Sequence, residues 1–351
     1  MTAQRPQPQI LEPLSMQMYG MLNGHILVQA LHIAVTLRIA DLVADGPKSV
    51  QELAQASSSH APSLYRLLRM LAGAGVFAED ESGRFSLTPL ATTLRSDTPD
   101  SVRDWALFIA APPVWAAWGA LLHSIRTGES AFEHVFGISR FQYMSNHPDL
   151  ARSYNSWMAK QSELHNAAVL ASYDFSAHRR IVEVGGGQGA TLVSILQSQS
   201  QLKGILFDVP HVVRNAAIPD ALLGRCELVA GDMLQSVPPG GDAYVLKRVL
   251  MDWDDERVTK TLMNCREAMP PDGKILVIEP VIPAGNEPSM SKFLDLVMLA
   301  LSGGRVRTED EHRRLFEAAG LELTQIIATR SPLSVLVGAR RSTASSTTAI
   351  S

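Results

Sequence analysis

An α/β fold is predicted, with the strands of its main sheet gathered in the C-terminal half and a helical part ahead of them. Two observations predict it. Between residues 180 and 340, short β-branched runs alternate with helical stretches, the pattern of a sheet covered by helices. Within that region, residues 181 to 184 run into Gly185-Gly186-Gly187-Gln188-Gly189, and residues 190 to 197 then have helical composition. Strand, glycine turn and helix follow one another where backbone must approach a ligand. The helical part upstream is richer in Met, Trp and Leu, and at 351 residues the chain is long enough for more than one domain.

Taken in order, residues 1–10 and 341–351 (RSTASSTTAIS) are small, polar and turn-rich, and are expected to be mobile tails. From Leu14 to Val43 the pattern is apolar nearly all round, through Met16, Met18, Met21, Leu22, Ile26, Leu27, Leu31, Ile33, Leu37 and Ile39. Such helices are buried on more than one side, either within the chain or against a partner subunit. Residues 48 to 95 read as a winged helix-turn-helix, with a first helix in Ser49-Val50-Gln51-Glu52-Leu53-Ala54. A second helix follows over residues 62 to 71, then a hairpin around Ser82-Gly83. The second helix offers only Arg66 and Arg69 to a nucleic acid, while Leu67, Leu68 and Leu71 need burial. Residues 101 to 172 continue as helices rich in Trp, Phe and Met, a composition that suits the walls of an aromatic pocket and equally a plain core. The expected domains are 11–100 (winged-helix-like), 101–175 (substrate pocket and linker) and 176–340 (α/β).

Composition narrows the function classes. Hydrophobic residues make up 46% and charged ones 19%, ordinary for a soluble globular protein. A net charge of −4 argues against gripping a nucleic-acid backbone. No apolar run reaches membrane-spanning length and MTAQRPQPQI lacks a signal peptide's apolar stretch, so a cytoplasmic location without membrane attachment is expected. Two cysteines, Cys226 and Cys265, make neither a disulfide framework nor a zinc site; both are expected to be buried thiols, and no metal is expected.

The glycine turn reads as a nucleoside site. Asp208, nineteen residues after Gly189, falls at the end of the second strand, where a carboxylate can accept hydrogen bonds from ribose hydroxyls. Gly185, Gly187 and Gly189, with Glu183 just ahead, are spaced more tightly than a pyrophosphate cradle requires. A third strand leads to Asp232 and Met233, an acid and a flexible apolar side chain suited to an adenine amino group and ring face. A fourth, over residues 243 to 247, delivers Lys247. Together these four stations resemble the S-adenosylmethionine-dependent methyltransferases.

From residue 14 to 340 the chain resembles the caffeic-acid-type and bacterial antibiotic-type O-methyltransferases. Matching pieces include Glu52-Leu53-Ala54, Arg66-Leu67-Leu68-Arg69, Phe85-Ser86-Leu87-Thr88, Glu183-Val184-Gly185-Gly186-Gly187, Phe207-Asp208-Val209-Pro210, Gly231-Asp232-Met233, Asp252-Trp253-Asp254-Asp255-Glu256 and Arg307-Thr308-Glu309. The resemblance implies a helical, winged-helix dimerisation domain, a C-terminal Rossmann-like domain, S-adenosylmethionine as cofactor, and a homodimer through the N-terminal helices. It places Glu183, Gly185, Gly187, Asp208, Asp232, Met233 and Lys247 around the cofactor, and Met158, Gln161, Trp115 and Met298 around a small-molecule acceptor.

One part of the pattern is altered. The family's general base is a histidine directly before the Asp-Trp pair, and Met251 stands there. A flanking family carboxylate is Val306 here, within Gly303-Gly304-Arg305-Val306-Arg307-Thr308. Thioether and valine take no proton, so ordinary phenol deprotonation lacks its usual base. A general base contributes roughly 10² to 10⁴ in rate, about 3 to 5 kcal/mol, whereas in-line positioning contributes about 7 to 11 kcal/mol. Methyl transfer is therefore still expected, toward an acceptor that ionises readily or a neutral amine. Candidate helpers are Asp252, Glu279 and His165. Each also has a structural reading: Asp252 as the cap of the helix beginning near Asp254, the first reading for an Asp at a helix start, His165 as a partly buried helix histidine seven residues after Met158, and Glu279 as a hydrogen-bond partner of substrate or structure. The alternatives to methyl transfer are an enzyme that keeps the cofactor but catalyses a rearrangement, cycloaddition or hydroxylation, and a ligand-sensing DNA binder, which the charge disfavours.

Overall fold

A computed structural model describes residues 13–341. The expected tails lie outside that range, apart from Arg341. The chain divides into two compact units, one holding it as far as Trp115 together with His147–Trp157, the other Ala116–Asn146 together with Met158 onward. The stretch expected as a separate region, 101–175, is shared between them.

In the first unit the helix Val50–Ala56 begins with a capping box: Ser49 Oγ accepts from the Glu52 N–H, and the Glu52 carboxylate accepts from the Ser49 N–H at 2.7 Å. The helix Ala61–Gly73 buries Leu64, Leu68 and Leu71, one face at i, i+4, i+7, while Arg66 and Arg69 are exposed. Strands β1 (Lys48–Ser49), β2 (Phe77–Glu79) and β3 (Arg84–Leu87) form an antiparallel sheet in the order β1-β3-β2, so the winged arrangement is present. The first helix, Leu14–Leu22, buries no residue in the single chain; Leu14 is 82% and Met21 75% exposed. Burial within the chain, one of the two readings open for this segment, does not hold there.

The second unit is built on seven strands. Its first five in sequence are β4 (Arg180–Val184), β5 (Lys203–Asp208), β6 (Cys226–Ala230), β7 (Ala243–Lys247) and β8 (Lys274–Glu279). A short parallel pair, β9 (Val281–Ile282) and β10 (Arg307–Thr308), stands apart from the sheet, which β11 (Leu321–Ala328) and β12 (Ser334–Arg340) complete. The order is β11-β12-β8-β7-β4-β5-β6, with β12 antiparallel between β8 and β11 and the other six strands running in one direction. Period-two alternation sends Val182, Val184, Leu246 and Val277 to one face, against Val258 and Leu262 of the helix Asp255–Ala268 and Phe316 of the helix Glu309–Ala318. Ile181, Val245, Leu276 and Ile278 go to the other, against Leu192 and Ile195 of the helix Ala190–Ser198. The sheet is thus covered on both sides, and the strand order reverses between β4 and β7, where open α/β sheets bind ligands at their carboxyl ends.

Cys265 is buried as expected, whereas Cys226 on the edge strand β6 is only half-buried; both are free thiols. Among the described residues, no helix is long and apolar enough to cross a membrane.

Candidate active site

Three glycines at the end of β4 adopt left-handed backbone, Gly185 at φ 69°, Gly187 at 60° and Gly189 at 89°. Space adds a second demand at Gly185, where a Cβ would lie 2.8 Å from Val249 Cγ2; on Gly189 a Cβ would lie 2.8 Å from Ile218 Cδ1, a side-chain tip that can shift. A Cβ on Gly187 would meet nothing within 4 Å, so that glycine faces open space. Its N–H donates to Asp208 Oδ2 at 2.8 Å, and Asp208 Oδ1 accepts from the Val209 N–H at 2.7 Å. The end of β5 and the glycine turn are thereby locked together, with Asp208 half-buried beside the opening.

Glu183 is 2% exposed beneath this turn, where its Oε2 accepts from the Leu192 N–H at 3.1 Å. Burial pushes its carboxyl up to about 7, against the pull of that hydrogen bond and of Lys247. Lys247, at the end of β7, donates to Ser162 Oγ at 3.0 Å and to Asn166 Oδ1, and burial lowers its ammonium to about 8. Asn166 also donates to Ala190 O and Ser194 Oγ, both at 3.1 Å. Ser162 and Asn166 therefore tie Lys247 and the helix after the glycine turn to the helix Pro148–Ser172; sequence reasoning missed both, although their i, i+4 spacing was visible. Beyond β6, Asp232 is exposed and caps its own turn by accepting from the Leu234 N–H at 2.9 Å, while Met233 packs on the sheet core.

The segment after β7 carries the altered positions. Met251 is 2% exposed and clusters with Met298 and Val306. Its N–H donates to Glu279 Oε1 at 2.9 Å, and its carbonyl accepts from the Arg305 N–H at 2.8 Å. Glu279 is fully enclosed, and burial raises its carboxyl to about 7. Arg307 is 1% exposed: it donates to Leu250 O at 3.0 Å, Trp253 O at 2.8 Å and Asp255 Oδ1 at 2.7 Å. This latch fixes the loop from Leu250 to Asp255. Arg305 does bridge at the surface, to Asp255 and Glu311. Asp252 does not cap the following helix; Asp254 does, accepting from the Arg257 N–H at 2.9 Å. Asp252 lies in the turn Leu250–Asp252, where burial raises its carboxyl while Arg140 and Arg248 oppose the rise.

Of the remaining candidates, Met158 meets the guanidinium of Arg248 at 3.6 Å, and Gln161 is half-buried one turn further along the same helix. His165 is 6% exposed with Nδ1 lacking a hydrogen-bond partner; burial, then the nearby Arg248 and Lys247 charges, lower it to about 4. Trp115 is half-buried in the helix Pro112–Gly119, at the end of the first unit's N-terminal stretch.

The residues suit an adenosyl group: two carboxylates that accept from hydroxyl and amine, a main chain laid open at Gly187, and a deformable apolar side chain at Met233. The comparisons with known proteins agree. The O-methyltransferase domain family matches residues 118–322, and the O-methyltransferase dimerisation domain family residues 19–97. The chain is 45% identical to the phenazine O-methyltransferase PhzM of Lysobacter antibioticus, over 92% of this chain and 96% of that one. Among solved structures, the mitomycin 7-O-methyltransferase MmcR superposes with a TM-score of 0.85 at 34% identity, covering 93% of this chain and 98% of that one. The calicheamicin-biosynthesis methyltransferase CalO1, bound to S-adenosylhomocysteine, does so with a TM-score of 0.83 at 35% identity, covering 93% and 98%. This chain belongs to the S-adenosylmethionine-dependent O-methyltransferases of secondary-metabolite biosynthesis.

Proposed function

We propose that this enzyme methylates an acidic hydroxyl on a flat aromatic metabolite and does so by positioning, without a histidine base. The observation that carries the reading is the burial of Met251 among Met298 and Val306, which leaves an apolar patch where a proton acceptor is expected. A phenazine acceptor in the named relative supports the aromatic class. S-Adenosylmethionine, when bound, supplies an electrophilic methyl group on a sulfonium centre. Asp208 holds ribose hydroxyls, Asp232 and Met233 the adenine, and the backbone at Gly185 and Gly187 lets the cofactor approach; Glu183 and Lys247 support the turn from below. Met158, Gln161 and Met298 line the acceptor side.

The three candidate helpers differ in what they offer. Glu279 already holds the Met251 N–H, so its role is to position the loop. His165 is neutral at pH 7 and can accept a hydrogen bond, yet it is too weak a base to deprotonate an ordinary phenol. Asp252, whose affinity for a proton is raised by burial, is the remaining side chain able to receive one. An acceptor that arrives ionised needs none of them. The exposed apolar helix Leu14–Leu22 and the dimerisation-family match support a homodimer closed over that helix; the location we propose for it is the cytoplasm.

The test measures kcat/KM for substituted phenols and hydroxyquinones of graded acidity, with methyl-labelled cofactor at one pH. Turnover concentrated in acceptors ionised at the assay pH is expected. Equal turnover of weakly acidic phenols overturns the base-free reading.

A further inference from the structure

We infer that Arg248 is the counter-ion of the acceptor: its guanidinium receives the oxyanion of the hydroxyl to be methylated. The inference deepens the base-free reading and rests on it.

Arg248 follows Lys247 out of β7 and precedes Val249, whose side chain lies under Gly185. Its backbone is left-handed, with φ 55°, a conformation shared among the described non-glycine residues only by Arg38 and Ser58. Left-handed backbone at a bulky residue persists only where the surroundings enforce it, and it concentrates at functional sites. Here the Arg248 N–H donates to Ile278 O at 3.0 Å, which pins the kink to β8. The kink breaks the period-two alternation of β7 at the end of the sheet where the strand order reverses, and the side chain runs to the helix carrying Met158, Gln161 and His165.

The guanidinium is half-buried, and its one hydrogen-bond partner among the described residues is Met158 Sδ at 3.6 Å. No described carboxylate comes within ion-pair distance of it, in contrast to Arg305 and Arg307 nearby. Five N–H groups in a rigid fork against a single thioether leave most of the donor capacity unspent, and that fork matches a planar oxyanion. The charged and titratable groups around it are Lys247 with Glu183 behind it, neutral His165, and Asp252, with Arg140 also acting on Asp252. Arg248, Lys247 and Arg140 outnumber the carboxylates Glu183 and Asp252, so the surroundings favour an incoming anion.

The chemistry balances without a protein base. The hydroxyl's proton passes to solvent as the oxyanion forms on Arg248. The oxygen's electron pair then makes the O–C bond as the C–S bond breaks, leaving a neutral thioether. By favouring the ionised form, Arg248 lowers the pKa of the bound acceptor, which is the contribution a histidine base otherwise makes.

The experiment compares the wild-type enzyme with Arg248→Gln and Arg248→Lys, using one phenol that is mainly protonated at neutral pH and one neutral aromatic amine. Profiles of kcat against pH, at saturating acceptor and cofactor, are recorded because kcat reports the ionisation of the bound acceptor, and S-adenosylhomocysteine affinity is measured by calorimetry. For the phenol, the acid limb is expected to move up by about one pH unit in Arg248→Gln, a tenfold loss below the limb. Arg248→Lys is expected to recover part of the shift, with calorimetric affinity unchanged and the amine unaffected. An unmoved limb in both variants, or an equal loss with the amine, overturns the assignment. The base-free reading fails separately, through indifference of the wild-type rate to acceptor acidity across the wider panel.

Discussion

Replacing Met251 with histidine, alone and together with Val306→Glu, measures what the missing proton acceptor costs this site. The Met251 side chain is 2% exposed and sits with Met298 (6%) and Val306 (2%), and Ile282 and Leu294 close the cluster. An imidazole placed there meets apolar atoms, and the carboxylates beside the cluster are engaged with main chain, Glu279 accepting from the residue-251 N–H at 2.9 Å and Asp295 from the Val306 N–H at 2.8 Å. Leaving a buried ring nitrogen unpaired costs about 1–3 kcal/mol, so Met251→His alone is expected to lower stability by that amount. Val306→Glu alone buries a carboxylate in the same patch and is expected to cost at least as much. Together the two new side chains pair, and their combined cost is expected to fall short of the sum by about 1–3 kcal/mol. Urea unfolding of all four proteins reads that coupling. In the same proteins, kcat/KM for weakly acidic phenols is expected to rise in the double variant by up to about 10²-fold, the lower end of what a general base contributes, with no gain for acceptors already ionised. Additive stabilities refute the neighbourhood of the two side chains. A gain equal for ionised and un-ionised acceptors refutes the claim that a base is what the position lacks.

Other outcomes follow from the same geometry. Asp208 accepts N–H groups from both Gly187 and Val209, and Asp208→Asn is expected to weaken S-adenosylhomocysteine binding about 10- to 100-fold, read by calorimetry; undiminished affinity removes Asp208 from the cofactor site. His312 is 1% exposed with both ring nitrogens lacking hydrogen-bond partners, and burial lowers it from 6.5 to about 4. The unfolded chain binds the proton that the folded one refuses, so His312 detracts from stability below pH 6.5 and increasingly so down to its folded value. His312→Phe is therefore expected to add about 2 kcal/mol more stability at pH 5 than at pH 8, and equal gains at the two pH values, in urea midpoints, contradict this. Met21, 75% exposed on the first helix, is expected on replacement by Glu to shift sedimentation toward a monomer; an unchanged sedimentation coefficient places the subunit contact elsewhere.

The strands that end at the site were legible because each is short, β-branched and followed at once by its polar or glycine terminus: residues 181–184, 243–247 and the run into Asp208 fall within one residue of the observed limits. What escaped is long-range. Arg307 reads as one more surface arginine until the chain brings it to Leu250 and Trp253, more than fifty residues earlier in sequence. The insertion of β12 between β8 and β11 has no local signature, since its residues suit either edge or centre. Asp252 and Asp254 are equivalent on paper, and only the extended backbone of Asp254, at φ −67° and ψ 168°, selects it as the cap. The first helix was ambiguous for another reason: an apolar surface carries the same letters whether its cover is self or partner.

The hydrogen bonds that hold residue 251 are made through its peptide group: the Glu279 carboxylate accepts from its N–H, the amide of Arg305 in the neighbouring loop donates to its carbonyl, and Arg307 clasps the carbonyls of Leu250 and Trp253 around it. The course of the loop is therefore set by main-chain bonds that any side chain at residue 251 leaves in place, even where its packing costs stability. A scaffold of this kind can exchange its chemistry by single substitutions while its architecture stays put, so the reaction carried out here is a replaceable fitting and the loop that presents it is the durable part.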